Sequence, residues 1–194
     1  NTEAVTFKRT KTGWEVGSKS GELTVKCRML IVANGAYSAF SRKEAGLEKD
    51  TKHYAAAVRA YYRNVKALDK DNFIELHFIK SITPGYFWIF PLPNGEANVG
   101  LGMRSDILNR RKVNLRKEML ALLETHPVLK ERFSNAELIG DVKGFGLPLG
   151  SKRRSISGDH YMLVGDAGHL VDPLTGEGIG NAFYSGFIAA EQLE

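Results

Sequence analysis

With 194 residues, 43% of them hydrophobic, the chain can bury the core of one large domain or two small ones. No apolar run approaches the roughly 18 residues that cross a bilayer, and no charged-then-apolar leader opens the sequence, so the reading is a soluble, cytoplasmic globular chain. The formal charge of +5 is scattered, and its clusters at Arg110-Arg111-Lys112 and Lys152-Arg153-Arg154 lack the aromatic interleaving of a nucleic-acid module. They read as solvated surface.

In chain order, Ala4 to Lys8 alternates apolar and polar, Thr10 to Gly13 reads as a turn, and Trp14 to Val16 resumes the alternation of a hairpin. After a turn at Ser18 to Gly21, Leu23 to Cys27 and Met29 to Ala33 are extended. The second, Met-Leu-Ile-Val-Ala, is apolar on both faces and predicts a buried central strand. It stops at Asn34-Gly35, a pair suited to positive φ. Longer strands follow at Tyr54 to Arg63, Phe73 to Ile79, Gly85 to Pro91 and Ala97 to Met103, with Asn94-Gly95 as a hairpin turn in a mostly antiparallel sheet. Ser105 is expected to cap a helix carrying Leu108, Leu115, Met119, Leu122 and Leu123 at helical spacing, ended by His126-Pro127. A short helix from Val128 to Phe133 and an extended piece from Leu138 to Leu147 lead to the last unit. There, Tyr161 to Val164 is a strand, Gly165 to Gly178 a glycine-rich loop, and Ile179 to Gln192 a helix rich in small residues. The two ends, Asn1 without an initiator methionine and Leu193-Glu194 resembling a cloning scar, suggest a piece of a longer protein.

A strand ending in Gly-Asp, followed by glycines that open a helix, brings bare backbone and a carboxylate to one sheet edge, where ligands bind in open α/β folds. Asp166 can accept hydrogen bonds from ribose hydroxyls, and the helix near Gly176 to Ile179 offers unsatisfied N–H groups to negative charge. The pattern points to a cofactor. His53, His77, His126 and His160 have no metal-ligand spacing, and no metal is expected. His169 reads as a packed or surface histidine. The lone Cys27 can form no internal disulfide.

The stretch from Tyr161 to Gly186, "YMLVGDAGHLVDPLTGEGIGNAFYSG", resembles the second FAD-binding motif of the flavoprotein hydroxylase and geranylgeranyl reductase superfamily. "MLIVANGAYSAFSRK" is similar to the family's Asp-Gly motif, with Asn34 where Asp is usual, Gly35 kept, and Arg42 one residue late. "PGYFWIFPLPNGEANVGLGM" resembles the Tyr-x-Trp-x-Phe-Pro stretch of geranylgeranyl reductases, carried by Tyr86, Trp88, Phe90, Pro91, Asn98, Val99, Gly100 and Gly102. The resemblance implies an α/β (α+β) chain, the C-terminal part of a FAD-binding fold with an antiparallel-sheet substrate domain. Residues 1–51 and 151–194 would form the discontinuous FAD-binding part and 52–150 the substrate part.

The resemblance implies that Asp166 holds the ribitol or ribose, with Gly165 beside it among the cofactor-binding residues, that Pro173 lies near the isoalloxazine, and that Gly176, Gly178 and Ile179 place backbone N–H groups at the flavin's pyrimidine edge. Asn34 and Gly35 would complete the site. Alternate residues on a strand share a face, so Tyr86, Trp88 and Phe90 would form one wall for an apolar small-molecule or lipid substrate, or simply an aromatic part of the core. The implied activity is FAD-dependent reduction of prenyl carbon–carbon double bonds with NADPH or a similar donor. No nucleic acid is expected as a partner, and peripheral membrane contact stays open. The family's N-terminal Gly-x-Gly-x-x-Gly unit is absent, so the chain alone is expected to bind FAD weakly or not at all. A flavin monooxygenase or halogenase, and a non-catalytic lipid- or partner-binding segment, are the alternatives.

Overall fold

The computed structural model describes residues 2–193; Asn1 and Glu194, at the two ends singled out above, lie outside the described residues. The chain is mixed α/β with antiparallel sheets and divides into two units, one made of residues 1–53 with 147–194 and the other of Tyr54–Gly146.

The discontinuous unit begins with the hairpin its alternation requires: β1 (Ala4–Thr10) pairs antiparallel with β2 (Gly13–Ser18), which pairs with β3 (Thr24–Cys27). A second small sheet joins distant sequence. β4 (Leu30–Val32) runs parallel to β11 (Tyr161–Leu163), which is flanked by β10 (Ser157–Gly158). Between them sits α1 (Ala39–Lys43), capped by Ser38, whose hydroxyl accepts from the Ser41 N–H at 3.0 Å. Phe40 on α1 is fully buried and meets Phe7, Trp14 and Tyr161 edge-to-face, with centroids 5.2, 4.9 and 5.2 Å away. Each such pair adds about 0.5 to 1.5 kcal/mol beyond area burial, which makes Phe40 the hub of this core.

β4 is not the doubly buried central strand that its composition predicts. It is the edge of its three-stranded sheet; Val32 faces the core, while Ile31, on the opposite face, is 37% exposed. An apolar pentapeptide reports affinity for burial, not whether both faces are covered.

The continuous unit is a five-stranded sheet ordered β6 (Glu75–His77), β7 (Gly85–Pro91), β8 (Ala97–Arg104), β5 (Tyr54–Arg63), β9 (Glu137–Pro148), the last strand running on past the unit's end. Period-2 alternation sends Phe87, Ile89, Val99, Leu101, Val58 and Ala60 to one face. That face packs on α3 (Leu115–Thr125) and α4 (Pro127–Arg132) through Met119, Leu122, Leu123 and Leu129. The Asn94-Gly95 turn forms as expected, with φ of 63° and 73°. The strand predicted from Phe73 to Ile79 shortens to three residues, flanked by exposed Phe73 and Phe78.

The helix expected from Ser105 is instead two. α2 (Ser105–Arg111) starts after Arg104, with no side-chain cap, and ends at Lys112 in the left-handed region; α3 then starts at Asn114, whose carboxamide accepts from the Lys117 N–H. Leu108 and Leu115 are seven residues apart, so the apolar period runs across the break and conceals it. Asn114, a good cap inside an otherwise helical pattern, is its only signal.

Candidate functional site

Parallel pairing of β4 with β11 brings the Ala33–Gly35 turn and the Gly165–Gly168 turn to the same sheet end. A cleft of about 470 Å³ opens there, lined by Ala33, Gly35, Leu147, Val164, Gly165, Asp166, Val171, Gly176, Gly178, Ile179 and Ala182. Of the residues expected to meet a cofactor, Gly35, Gly165, Asp166, Gly176, Gly178 and Ile179 come together in this cleft. Asn34, the exposed neighbour of Gly35, and Pro173, exposed at the loop tip, are not part of its lining.

The cleft is held by contacts its sequence makes locally. Gly165 has φ of 55°, and a Cβ there would stand 3.0 Å from that of Ala182 on α5 (Ile179–Glu191). Glycine lets the turn lie this close to the helix without displacing Ala182 or straining the left-handed backbone. The Gly165 N–H donates to the Ser185 hydroxyl at 2.9 Å, which donates back to the Asn181 carbonyl at 2.7 Å. Ser41, fully inside the core, donates from its hydroxyl to the Ala167 carbonyl at 2.8 Å and ties α1 to the same turn. This serine stands where the resemblance expects arginine; Arg42 is exposed.

The loop beyond is closed by Asp172. Its Oδ1 accepts from the Thr175 N–H at 2.7 Å, the Thr175 hydroxyl at 2.8 Å and the Leu174 N–H at 3.0 Å. These bonds, led by that from the Thr175 backbone, hold its carboxyl below the usual carboxylate range. Asp166 is the opposite case. Burial raises its pKa, its Oδ1 lies 3.3 Å from where a Gly178 Cβ would stand, and no donor among the described residues pairs with its carboxylate. A half-buried acceptor without a donor beside bare glycine backbone suits hydroxyl groups of a ligand.

Three features were not legible in the sequence. Glu177 accepts the Gly180 N–H at 2.7 Å, so the chain's own carboxylate occupies part of the positive end of α5. His169, 6% exposed and at φ of 56°, has its pKa lowered to about 4, first by burial and then by the charge of Arg154. Its Nδ1 and Arg154 Nη2 are buried without a hydrogen-bond partner among the described residues. Arg154 thus departs from the solvated surface expected for its cluster: its Nη1 donates to the Leu149 and Lys152 carbonyls at 3.2 and 3.0 Å. No loop signal distinguishes such an arginine from Arg153 before the fold is known.

Tyr86, Trp88 and Phe90 lie together on β7 in the other unit, on the sheet face opposite the helices. Their rings follow one another at centroid distances of 6.1 and 6.0 Å. They are partly exposed, whereas the intervening Phe87 and Ile89 are the core residues. The Trp88 indole lies across Gly100 of β8, where a Cβ would come within 2.3 Å of its Cζ2, and its Nε1 donates to Asn98 Oδ1 at 3.1 Å. The glycine and asparagine of the motif therefore seat the tryptophan. Among the described residues no group of three or more His, Cys, Asp or Glu could hold a metal ion, and no helix is long and apolar enough to cross a membrane.

Residues 53–139 match the family model described as the geranylgeranyl reductase catalytic domain. The menaquinone reductase of Mycobacterium tuberculosis is 36% identical over 175 residues, covering 88% of this chain and 42% of that protein. The digeranylgeranylglycerophospholipid reductase of Thermoplasma volcanium is 33% identical over 180 residues, covering 92% and 44%. The chain thus spans less than half the length of these relatives. Among solved structures, a geranylgeranyl bacteriochlorophyll reductase-like protein from Thermoplasma acidophilum superposes with a TM-score of 0.83 at 28% identity, over 98% of this chain and 47% of that one. A flavin-dependent brominase, at 23% identity with a TM-score of 0.77 over 98% and 49%, shares the fold.

Proposed function

We propose that the chain, which is similar to the geranylgeranyl reductase catalytic domain over residues 53–139, forms part of an FAD-dependent oxidoreductase that reduces carbon–carbon double bonds of a prenyl-type lipid. The observation that carries the reading is the aromatic face of Tyr86, Trp88 and Phe90, seated on Gly100, inside the stretch that matches the catalytic-domain model. Rings in file, half-buried and backed by a closed core, suit a long apolar chain.

The cleft at Gly165 fits FAD. Asp166 would accept hydrogen bonds from ribityl or ribose hydroxyls, and Gly165, Gly176 and Gly178 would admit the cofactor against bare backbone; Ile179 would offer its N–H at the helix start. Pro173 and Asn34 would act from the rim. Ser41 and Ser185 keep the turn in place while the ligand binds. The chemistry FAD supplies when bound is hydride delivery to one alkene carbon, with a proton completing the other C–H bond. Electrons would come from NADPH or a similar donor, and a lipid substrate would bring the protein into peripheral contact with a membrane.

Full-length protein, reduced anaerobically and mixed with geranylgeraniol or its phosphate, should reoxidise its flavin and yield product two mass units heavier for each bond reduced. Oxygen-dependent turnover with an oxygenated product, or a full-length protein without flavin absorbance, would sink this reading.

A further inference from the structure

On the same aromatic face, register places Leu76, Trp88, Gly100 and Arg59 in one row across β6, β7, β8 and β5. Arg59 sits between the buried Val58 and Ala60, so its side chain emerges opposite the helices. Its guanidinium carbon lies 4.5 Å from the centroid of Tyr61 and 5.8 Å from that of Phe145 on β9. No carboxylate pairs with it among the described residues, although Arg63 of the same strand pairs with Glu137 and Arg132 of the same unit with Glu75.

A cation–π contact leaves the N–H donors of a guanidinium uncommitted, and an oxyanion can take them two at a time. The rings also restrict the side chain, so less rotamer freedom is lost when an anion binds. Beside this cation runs the apolar file of Tyr86, Trp88 and Phe90. The face therefore has two chemistries in order: one for a hydrocarbon tail and one for a negative end.

We propose that Arg59 is the residue that reads the head of the substrate, its guanidinium pairing with a phosphate-type oxyanion at the end of the isoprenoid chain. A neutral head, such as an alcohol or a quinone ring, gains little from a charge-assisted bidentate contact. Arg59 thereby sets specificity for the head while the rings accept the chain. This assignment rests on the reductase reading above for the identity of the tail.

The test uses full-length flavoprotein, with geranylgeranyl monophosphate and geranylgeraniol as probes, and Trp88 fluorescence quenching as the binding signal; Trp88→Phe identifies that signal. Wild type should bind the phosphate about tenfold or more tightly than the alcohol, by an amount that shrinks with added salt. Arg59→Gln should raise the phosphate Kd about tenfold and leave the alcohol Kd within about twofold. Arg59→Lys, which keeps the charge and stem, should recover part of the preference and guards against a folding defect. Equal binding of the two probes to wild type, or equal weakening of both in Arg59→Gln, would overturn the anchor. Selective phosphate binding without anaerobic flavin reoxidation would leave Arg59 standing and overturn the reductase reading.

Discussion

The five-stranded sheet and α5 are both rich in apolar residues, but they use them differently. The sheet closes one face completely: Phe87, Ile89, Val99 and Leu101 are fully buried on α3 and α4. On α5 only Ala189 is buried, while Ile179, Phe183, Tyr184 and Phe187 are between 65% and 74% exposed. Equal hydrophobicity therefore does not mean equal stability. The sheet face is stabilised by area already removed from water, whereas α5 depends on its ties to the Gly165 turn and on its cap.

Matched truncations should break this comparison if it is wrong. Phe87→Ala should cost about 3 to 5 kcal/mol in chemical denaturation followed by Trp88 fluorescence, whereas Phe183→Ala, followed by Trp14 fluorescence, should fall within about 0.5 kcal/mol of wild type. Comparable losses would mean that α5 is as well packed as the sheet.

The next effect belongs to the discontinuous unit and separates the two by pH. His169 has a folded pKa of about 4, below its ordinary value of 6.5, so the unfolded chain takes up the proton first as pH falls. The stability it confers is complete above about pH 6.5 and is lost as pH drops toward 4, by about 2 to 3 kcal/mol. His169→Asn, which tolerates the left-handed backbone, should flatten the unit's acid dependence between those values in denaturation series. An unchanged slope would remove His169 as its source.

The smallest effect sharpens the account of α5. Glu177→Gln keeps an acceptor for the Gly180 N–H but removes the charge, and should destabilise the helix start by about 0.3 to 1 kcal/mol at low salt. Amide exchange at Gly180 to Ala182 reports it; insensitivity to salt would show that charge plays no part.

Much of this architecture was legible where one physical signal acts alone. Runs of strand-forming residues bounded by turns gave β5, β7 and β8, and Asn94-Gly95 gave the turn between the last two, because strand propensity and positive φ are local properties. The α2–α3 break was hidden because the apolar spacing on either side stays in phase. The brief α1 was hidden because five residues carry too little periodicity to read. Within the cleft, the glycines and Asp166 were visible as types. The partners of Ser41, Glu177 and His169 were not, since each depends on which distant backbone the fold brings near. Arg59 resembles any other strand arginine until the sheet register sets Phe145 beside it.

The parallel pairing of Leu30–Val32 with Tyr161–Leu163 also has a kinetic consequence. The first unit cannot complete its sheet until the whole of Tyr54–Gly146 has been synthesised and looped out, whereas within that inserted segment β6, β7 and β8 pair in chain order and only β5 and β9 reach across it. Closing a long disordered loop is slow, and a segment already compacted brings its two ends closer together. Folding should therefore run from the middle of the chain outward. With Trp88 in the inserted sheet and Trp14 in the other core, the molecule carries one fluorescent clock for each stage.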